Sequence, residues 1–184
     1  GIRIVQVSGY DVLTGEKSTD LSKETFGNNL KNCLKVAAPL GVMLALENVD
    51  NESADSLDKL MHYVNDIDSP WLQLYPDFGN LTAMGQDVIR QLKDYGNHIA
   101  AVHIKDTVPE VVRNIPFNEG NVDFISAFDA LSDIGFCGPM LLEMWADKSK
   151  DNLAAIKASR EWVVSRMKES SFLNNNALYS IESK

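Results

Sequence analysis

The chain has 184 residues, 45% of them hydrophobic, enough to bury the core of one domain or a large part of one. Its 26 Asp and Glu outnumber 17 Lys and Arg, giving a formal charge of -9 that repels a phosphate backbone and argues against a nucleic-acid partner. No apolar stretch approaches the roughly 20 residues needed to cross a bilayer and no charged-then-apolar leader opens the chain, so a soluble, cytoplasmic protein with no membrane partner is expected.

The sequence opens on Gly1 rather than Met and runs at once into an apolar segment, which reads as a fragment or a processed product. Ile2 to Ser8 is the first strand candidate, followed by a helix whose apolar stripe is Phe26, Leu30, Cys33, Leu34 and Ala37 and whose stop is Gly41. Val42 to Leu46 is the second strand; Ser53 stands where a cap is wanted for a helix carrying Leu57, Leu60, Met61 and Val64. Trp71 to Tyr75 is the third strand and Val88, Ile89, Leu92 and Tyr95 mark the third helix. Ile99 to Ile104 is the fourth strand, with Phe124, Phe128 and Leu131 on the helix after it and Gly135 as its stop. Met140 to Leu142 is the fifth strand, and Leu153, Ile156, Val163 and Met167 the fifth helical stripe. Apolar strands alternating with amphipathic helices are the signature of βα units around a parallel sheet. The packed domain is expected to span residues 1–168, with a frayed polar tail over 169–184. Cys33 and Cys137 fit neither a disulfide framework nor a zinc knuckle and are expected as buried thiols. His62 reads as a helix-surface residue, and His98, ahead of the fourth strand, as structural.

Polar residues fall in a repeating place. Glu47, Asp77, His103 and Glu143 each sit at or just after the C-terminal end of a strand candidate, about one βα unit apart. Any one of them alone reads as a loop contact or a helix cap. Together they converge from four successive strands at the face where barrel enzymes carry their chemistry. Carboxylate and imidazole donors without thiolate suit one divalent ion, Mn²⁺, Mg²⁺, Co²⁺ or Zn²⁺, and a dication lets three crowded carboxylates stay ionised.

Five segments carry a resemblance: Gly1-Ile-Arg-Ile-Val-Gln-Val-Ser-Gly-Tyr-Asp11, Tyr75-Pro-Asp-Phe-Gly-Asn-Leu81, His103-Ile-Lys-Asp-Thr107, Pro116-Phe-Asn-Glu-Gly-Asn-Val-Asp-Phe124 and Leu142-Glu-Met-Trp145. They resemble the xylose isomerase-like superfamily and, within it, the L-ribulose 5-phosphate (L-xylulose 5-phosphate) 3-epimerases. The resemblance implies an α/β fold, a (β/α)8 TIM barrel, of which this chain would be the C-terminal portion: about five βα units, with the first three missing. It implies Glu47, Asp77, His103 and Glu143 as metal ligands, Glu47 and Glu143 as acid and base, a ketose phosphate as substrate, and a homodimer. Asn118 departs from the family's usual glycine in its loop.

For such a substrate Arg113 is the first candidate ligand of the phosphate, though an Arg in a loop is equally a solvated charge. Lys105 shares a side of its strand with His103 and either meets substrate or pairs with a carboxylate such as Asp106. Asn80 and Glu119 read as hydroxyl ligands or as turn residues, and Trp145 as a pocket wall or a core aromatic. Alternatives are a related hexulose 6-phosphate or ketose/aldose isomerase, and a catalytically silent barrel fragment. A DNA-repair endonuclease of the same superfamily would need more histidines than the three present.

Overall fold

A computed structural model describes residues 1–13, 15–148 and 151–175. Its parallel strands are β1 (Ile4–Ser8), β2 (Met43–Glu47), β3 (Leu72–Tyr75), β4 (Val102–Ile104) and β5 (Met140–Leu142). The first three pair in the order β1-β2-β3 and the last two as β4-β5. Parallel bridges Leu74 to Ile99 and Asp77 to His103 join the two groups, with Ala100 N–H donating to Leu74 O (2.9 Å) and His103 N–H to Pro76 O (2.8 Å). Five strands thus run side by side in chain order, which the right-handed βα crossover produces without any strand being skipped.

The connections are helical. Helix α1 (Asp20–Ala37) follows β1 and α2 (Leu57–Ile67) follows β2. Two short helices, α3 (Phe78–Ala83) and α4 (Val88–Asp94), stand between β3 and β4, where the apolar pattern predicts one; Asp77 caps α3, and Gly85, at φ +69°, turns the chain into α4. Helix α5 (Phe124–Asp133) links β4 to β5, and α6 (Asn152–Glu169) and α7 (Phe172–Asn175) follow β5. Gly41 and Gly135 take the left-handed backbone (φ +67° and +66°) expected of helix stops.

Helices and sheet enclose two apolar clusters. One gathers Leu30 and Leu34 of α1 and Leu57, Leu60 and Val64 of α2 over Leu44, Leu46, Leu72 and Leu74. The other gathers Phe124, Phe128 and Leu131 of α5, Val163 and Met167 of α6 and Phe172 over Val102 and Ile104. The opposite, inner face of the sheet carries Ala45, Tyr75 and Ala101, with Ile4 and Ala100 beside them. Among the described strands β1 and β5 are the edges, and apolar side chains are exposed along both, Val5 on one and Leu141 on the other.

Several local expectations are corrected. Ser56, not Ser53, caps α2, accepting from Lys59 N–H (3.3 Å); Ser53 turns its hydroxyl to Asp11 Oδ1 (2.8 Å). Both cysteines are exposed: Cys33 lies on α1 beside the buried Leu34 but faces outward, and Cys137 sits in the turn after α5. The predicted strand Ile99–Ile104 forms a regular ladder only over Val102–Ile104. The packed chain does not end at 168: Phe172 is fully buried against Phe128 (ring centroids 6.0 Å), and Asp129 accepts from Ser171 N–H (2.7 Å). The remainder of the expected tail, 176–184, lies outside the described residues. No helix among the described residues is long and apolar enough to cross a membrane.

Candidate metal centre

Glu47 ends β2, Asp77 follows β3 by two residues, His103 is the middle of β4, and Glu143 directly follows β5. The register that pairs Ser8 with Glu47, Glu47 with Tyr75 and Asp77 with His103 brings these strand ends level. As a result each of the four residues places a ligand atom within 4.8 Å of every other. Glu47, Asp77 and His103 are buried and Glu143 is half-buried. The imidazole Nδ1 of His103 is the hub: it touches Glu47 Oε1, lies 3.1 Å from Glu143 Oε2 and 3.8 Å from Asp77 Oδ2. Tyr75 packs edge-on against the ring at 4.6 Å and fixes its plane.

The carboxylates are aimed by their neighbours. Gln6 and Ser8, alternate residues of β1, donate to Glu47 Oε2, the serine hydroxyl at 3.3 Å, which leaves Oε1 for the cluster. Asn48 clamps the Asp77 backbone at two points, accepting from its N–H (2.8 Å) and donating to its carbonyl (3.2 Å). Asn80 N–H donates to Asp77 Oδ1 (2.8 Å). Asp77 Oδ2 is left fully buried without a hydrogen-bond partner of adequate geometry; Lys105 Nζ makes an ion pair with it at 2.8 Å, and His103 Nδ1 lies 3.8 Å away. Such an orphaned buried oxygen costs stability unless a cation takes it up. The donor set, three carboxylates and one imidazole already pointing at one place, fits a divalent ion.

Electrostatics agree. Burial drives the Asp77 carboxyl well above the usual carboxylate range, against the pull of Lys105. Burial pushes Glu143 upward too, but the His103 hydrogen bond and the Lys105 charge outweigh it and hold that carboxyl low. Burial alone would strip His103 of its proton; the Glu143 and Glu47 hydrogen bonds prevail and raise it to about 9. Without a metal, then, a proton on His103 holds the carboxylates together.

Of the other sequence candidates, Asn80, Lys105 and Trp145 join the cluster. Asn80 and Lys105 are buried, with Nζ donating to Asn80 Oδ1 (2.8 Å) and lying 3.3 Å from Glu143 Oε1, and the ammonium stands 5.5 Å from the half-buried Trp145 ring. Lys105 pairs with Asp77 and Glu143, not with Asp106. Arg113 is 60% exposed and meets Asp50 Oδ2 at 3.7 Å on the rim, and Glu119 is exposed in its loop.

Sequence reasoning missed the residues that hold the site in shape: Gln6, Ser8, Asn48 and Asp106. Asp106 is buried and accepts backbone N–H groups from Thr107 (3.0 Å), Asn118 (3.0 Å), Gly120 (3.0 Å) and Val122 (3.4 Å), folding the loop after β4. A Cβ on Gly120 would sit 2.0 Å from Asp106 Oδ1, so only glycine fits. Asn118 takes φ +76°, a left-handed conformation that asparagine tolerates better than most residues, which accounts for its standing where a glycine is usual. The available signal was the i, i+2 pair of polar residues in an apolar strand, Gln6 and Ser8.

A model of the xylose isomerase-like TIM barrel family matches residues 1–166. The L-ribulose-5-phosphate 3-epimerase UlaE of Escherichia coli O139:H28 is 42% identical over 167 residues, 91% of this chain, and the protein of that name from Escherichia fergusonii matches equally. The chain spans 58% of the length of these curated relatives. Among solved structures, an L-ribulose 3-epimerase superposes with a TM-score of 0.79 at 22% identity, covering 99% of this chain and 66% of that one. The IOLI protein with a binding zinc atom gives 0.76 at 23% identity over 91% and 63%. At these identities the superpositions show the fold.

Proposed function

Because this chain belongs to the xylose isomerase-like TIM barrel family, we propose that it is the C-terminal five βα units of a metal-dependent sugar-phosphate epimerase, interconverting L-xylulose 5-phosphate and L-ribulose 5-phosphate at C3. The observation that carries this is the convergence of Glu47, Asp77, His103 and Glu143 at the C-terminal ends of adjacent parallel strands. The named relatives supply the substrate class. The exposed edges β1 and β5 are where three further units of the barrel would pair.

Glu47, Asp77, His103 and Glu143 would hold the ion, Mn²⁺, Zn²⁺, Co²⁺ or Mg²⁺. When bound, it would supply Lewis acidity and disperse the negative charge left when the C3 proton departs. Inversion at C3 needs a base on one side of the sugar and an acid on the other. Glu47 and Glu143 come from strands on opposite sides of β3 and β4, and each reaches the cluster by one carboxylate oxygen. One takes the C3 proton and the other returns a proton to the opposite face, their roles exchanging with direction. Asn80 and Trp145 border the same space, whereas the exposed Arg113 on the rim is available to a phosphate and the exposed Glu119 to a hydroxyl.

Proton NMR of L-ribulose 5-phosphate incubated in D₂O with the protein and catalytic Mn²⁺ tests the proposal. Loss of the C3 proton signal with growth of the epimer is the expected result. Exchange at C1 alone would make the protein an aldose-ketose isomerase, and no exchange at all would make the chain a silent barrel fragment.

A further inference from the structure

Lys105 is 3% exposed, and its ammonium lies among three oxygens: Asp77 Oδ2 at 2.8 Å, Asn80 Oδ1 at 2.8 Å and Glu143 Oε1 at 3.3 Å. The ammonium donates hydrogen bonds to Asn80 Oδ1 and Glu143 Oε1 and makes an ion pair with Asp77 Oδ2, so these contacts are all to the protein's own oxygens rather than to a sugar in the cavity. Two of those oxygens belong to the proposed metal ligands, so the ammonium and the ion share carboxylates. Buried carboxylates are costly without a counter-charge. With His103 neutral as a ligand, three carboxylates and one ammonium leave two negative charges, the charge that one divalent ion balances.

We infer that Lys105 is a built-in counter-ion of the metal centre rather than a ligand of the sugar: it holds Asp77 and Glu143 in place when no metal is bound and fixes the charge of the centre at the value one divalent ion neutralises. The inference rests on the metal-centre reading above and not on the epimerase activity. It assigns Lys105 a positioning role, acting on the reaction only through the carboxylates it touches.

Lys105→Met keeps the aliphatic stem and removes the charge. Calorimetric titration with Mn²⁺ and thermal unfolding in chelator then read the two halves of the inference separately. The variant should bind Mn²⁺ more tightly, by roughly tenfold or more, since a positive charge close to the ion has been removed from a partly screened site. In chelator its Tm should fall by several degrees, and saturating Mn²⁺ should restore it. Unchanged or weaker Mn²⁺ binding, or the same loss of Tm with and without Mn²⁺, would mean that the side chain only fills space and would overturn the inference.

Should Lys105→Met fail to fold in chelator, the double variant with Glu143→Gln decides. Removing a negative charge beside the missing positive one restores the balance, so the double variant should fold in chelator where Lys105→Met alone does not. A double variant that also fails to fold would overturn the inference. Wild-type protein that takes up no Mn²⁺ would defeat the metal-centre reading itself; that outcome is distinguishable because the cycle in chelator contains no metal.

Discussion

Two regions at the C-terminal ends of the strands are built to different standards. Between β2 and β3, Asn48, Asp77 and Asn80 are buried and cross-linked: Asn48 clamps the backbone of Asp77, Asn80 N–H caps its carboxylate, and Asn80 Nδ2 donates back to Asn48 O (2.8 Å). On the rim, Arg113 is mostly exposed and held by one long ion pair to Asp50, which also accepts from Tyr10. Fixed polar networks cost no reorganisation when an ion binds, so the first region suits a resident metal. An exposed guanidinium on a loop is free to follow a substrate, and its ion pair contributes little to stability.

The comparison breaks if the two regions respond alike to substitution. Asp77→Ala removes a ligand and its buried oxygen, and should weaken Mn²⁺ binding by on the order of a hundredfold or more, read by titration calorimetry. Asn48→Ala leaves every ligand in place but releases the Asp77 backbone; Mn²⁺ affinity should fall by about 10- to 100-fold and unfolding free energy by about 1–3 kcal/mol, because buried polar groups lose their partners. If Asn48→Ala bound Mn²⁺ like the wild type, the clamp would be irrelevant to the metal.

A pH series sharpens the same contrast. His103 keeps its proton up to about 9 in the metal-free protein, and that proton must leave before Nδ1 can bind an ion. Mn²⁺ affinity should therefore rise with pH toward about 9, by about tenfold per unit where the His103 proton alone is displaced and more steeply below about 7, where Asp77 must lose its proton too, and should level off above about 9. A flat profile between pH 6 and 8 would remove His103 from the ligand set. The smallest effect belongs to the rim: Arg113→Ala should leave Mn²⁺ affinity and Tm within error, while raising KM for the sugar phosphate. A loss of metal binding there would place Arg113 in the centre.

The unequal build of the two regions also explains what the sequence revealed. Glu47, Asp77, His103 and Glu143 were legible because successive parallel strands deliver their C-terminal ends to one place, so a polar residue at each end needs no further information to converge. The five strands were legible because each is a short, mainly apolar run set between helical segments, although β1 carries Gln6 and Ser8. The partners were not. Lys105 takes the side of His103, as its spacing implies, but which carboxylate it meets depends on how Asp77 and Glu143 reach across from the neighbouring strands, and the role of Asn48 depends on the close approach of two loops. Burial of Phe172 was hidden by the polar residues around it, since one aromatic gives no periodicity. Cys33 misled because it lies next to a buried stripe without belonging to it.

The most direct test of the central claim follows the C3 proton from each side. Glu47→Gln and Glu143→Gln, each loaded with Mn²⁺ in D₂O, would be incubated separately with L-ribulose 5-phosphate and with L-xylulose 5-phosphate, and C3 deuteration followed by NMR. Each variant should lose exchange from one epimer far more than from the other, with opposite preferences, and neither should interconvert the two. Full exchange from both epimers in either variant would contradict the assignment of that glutamate as a proton carrier.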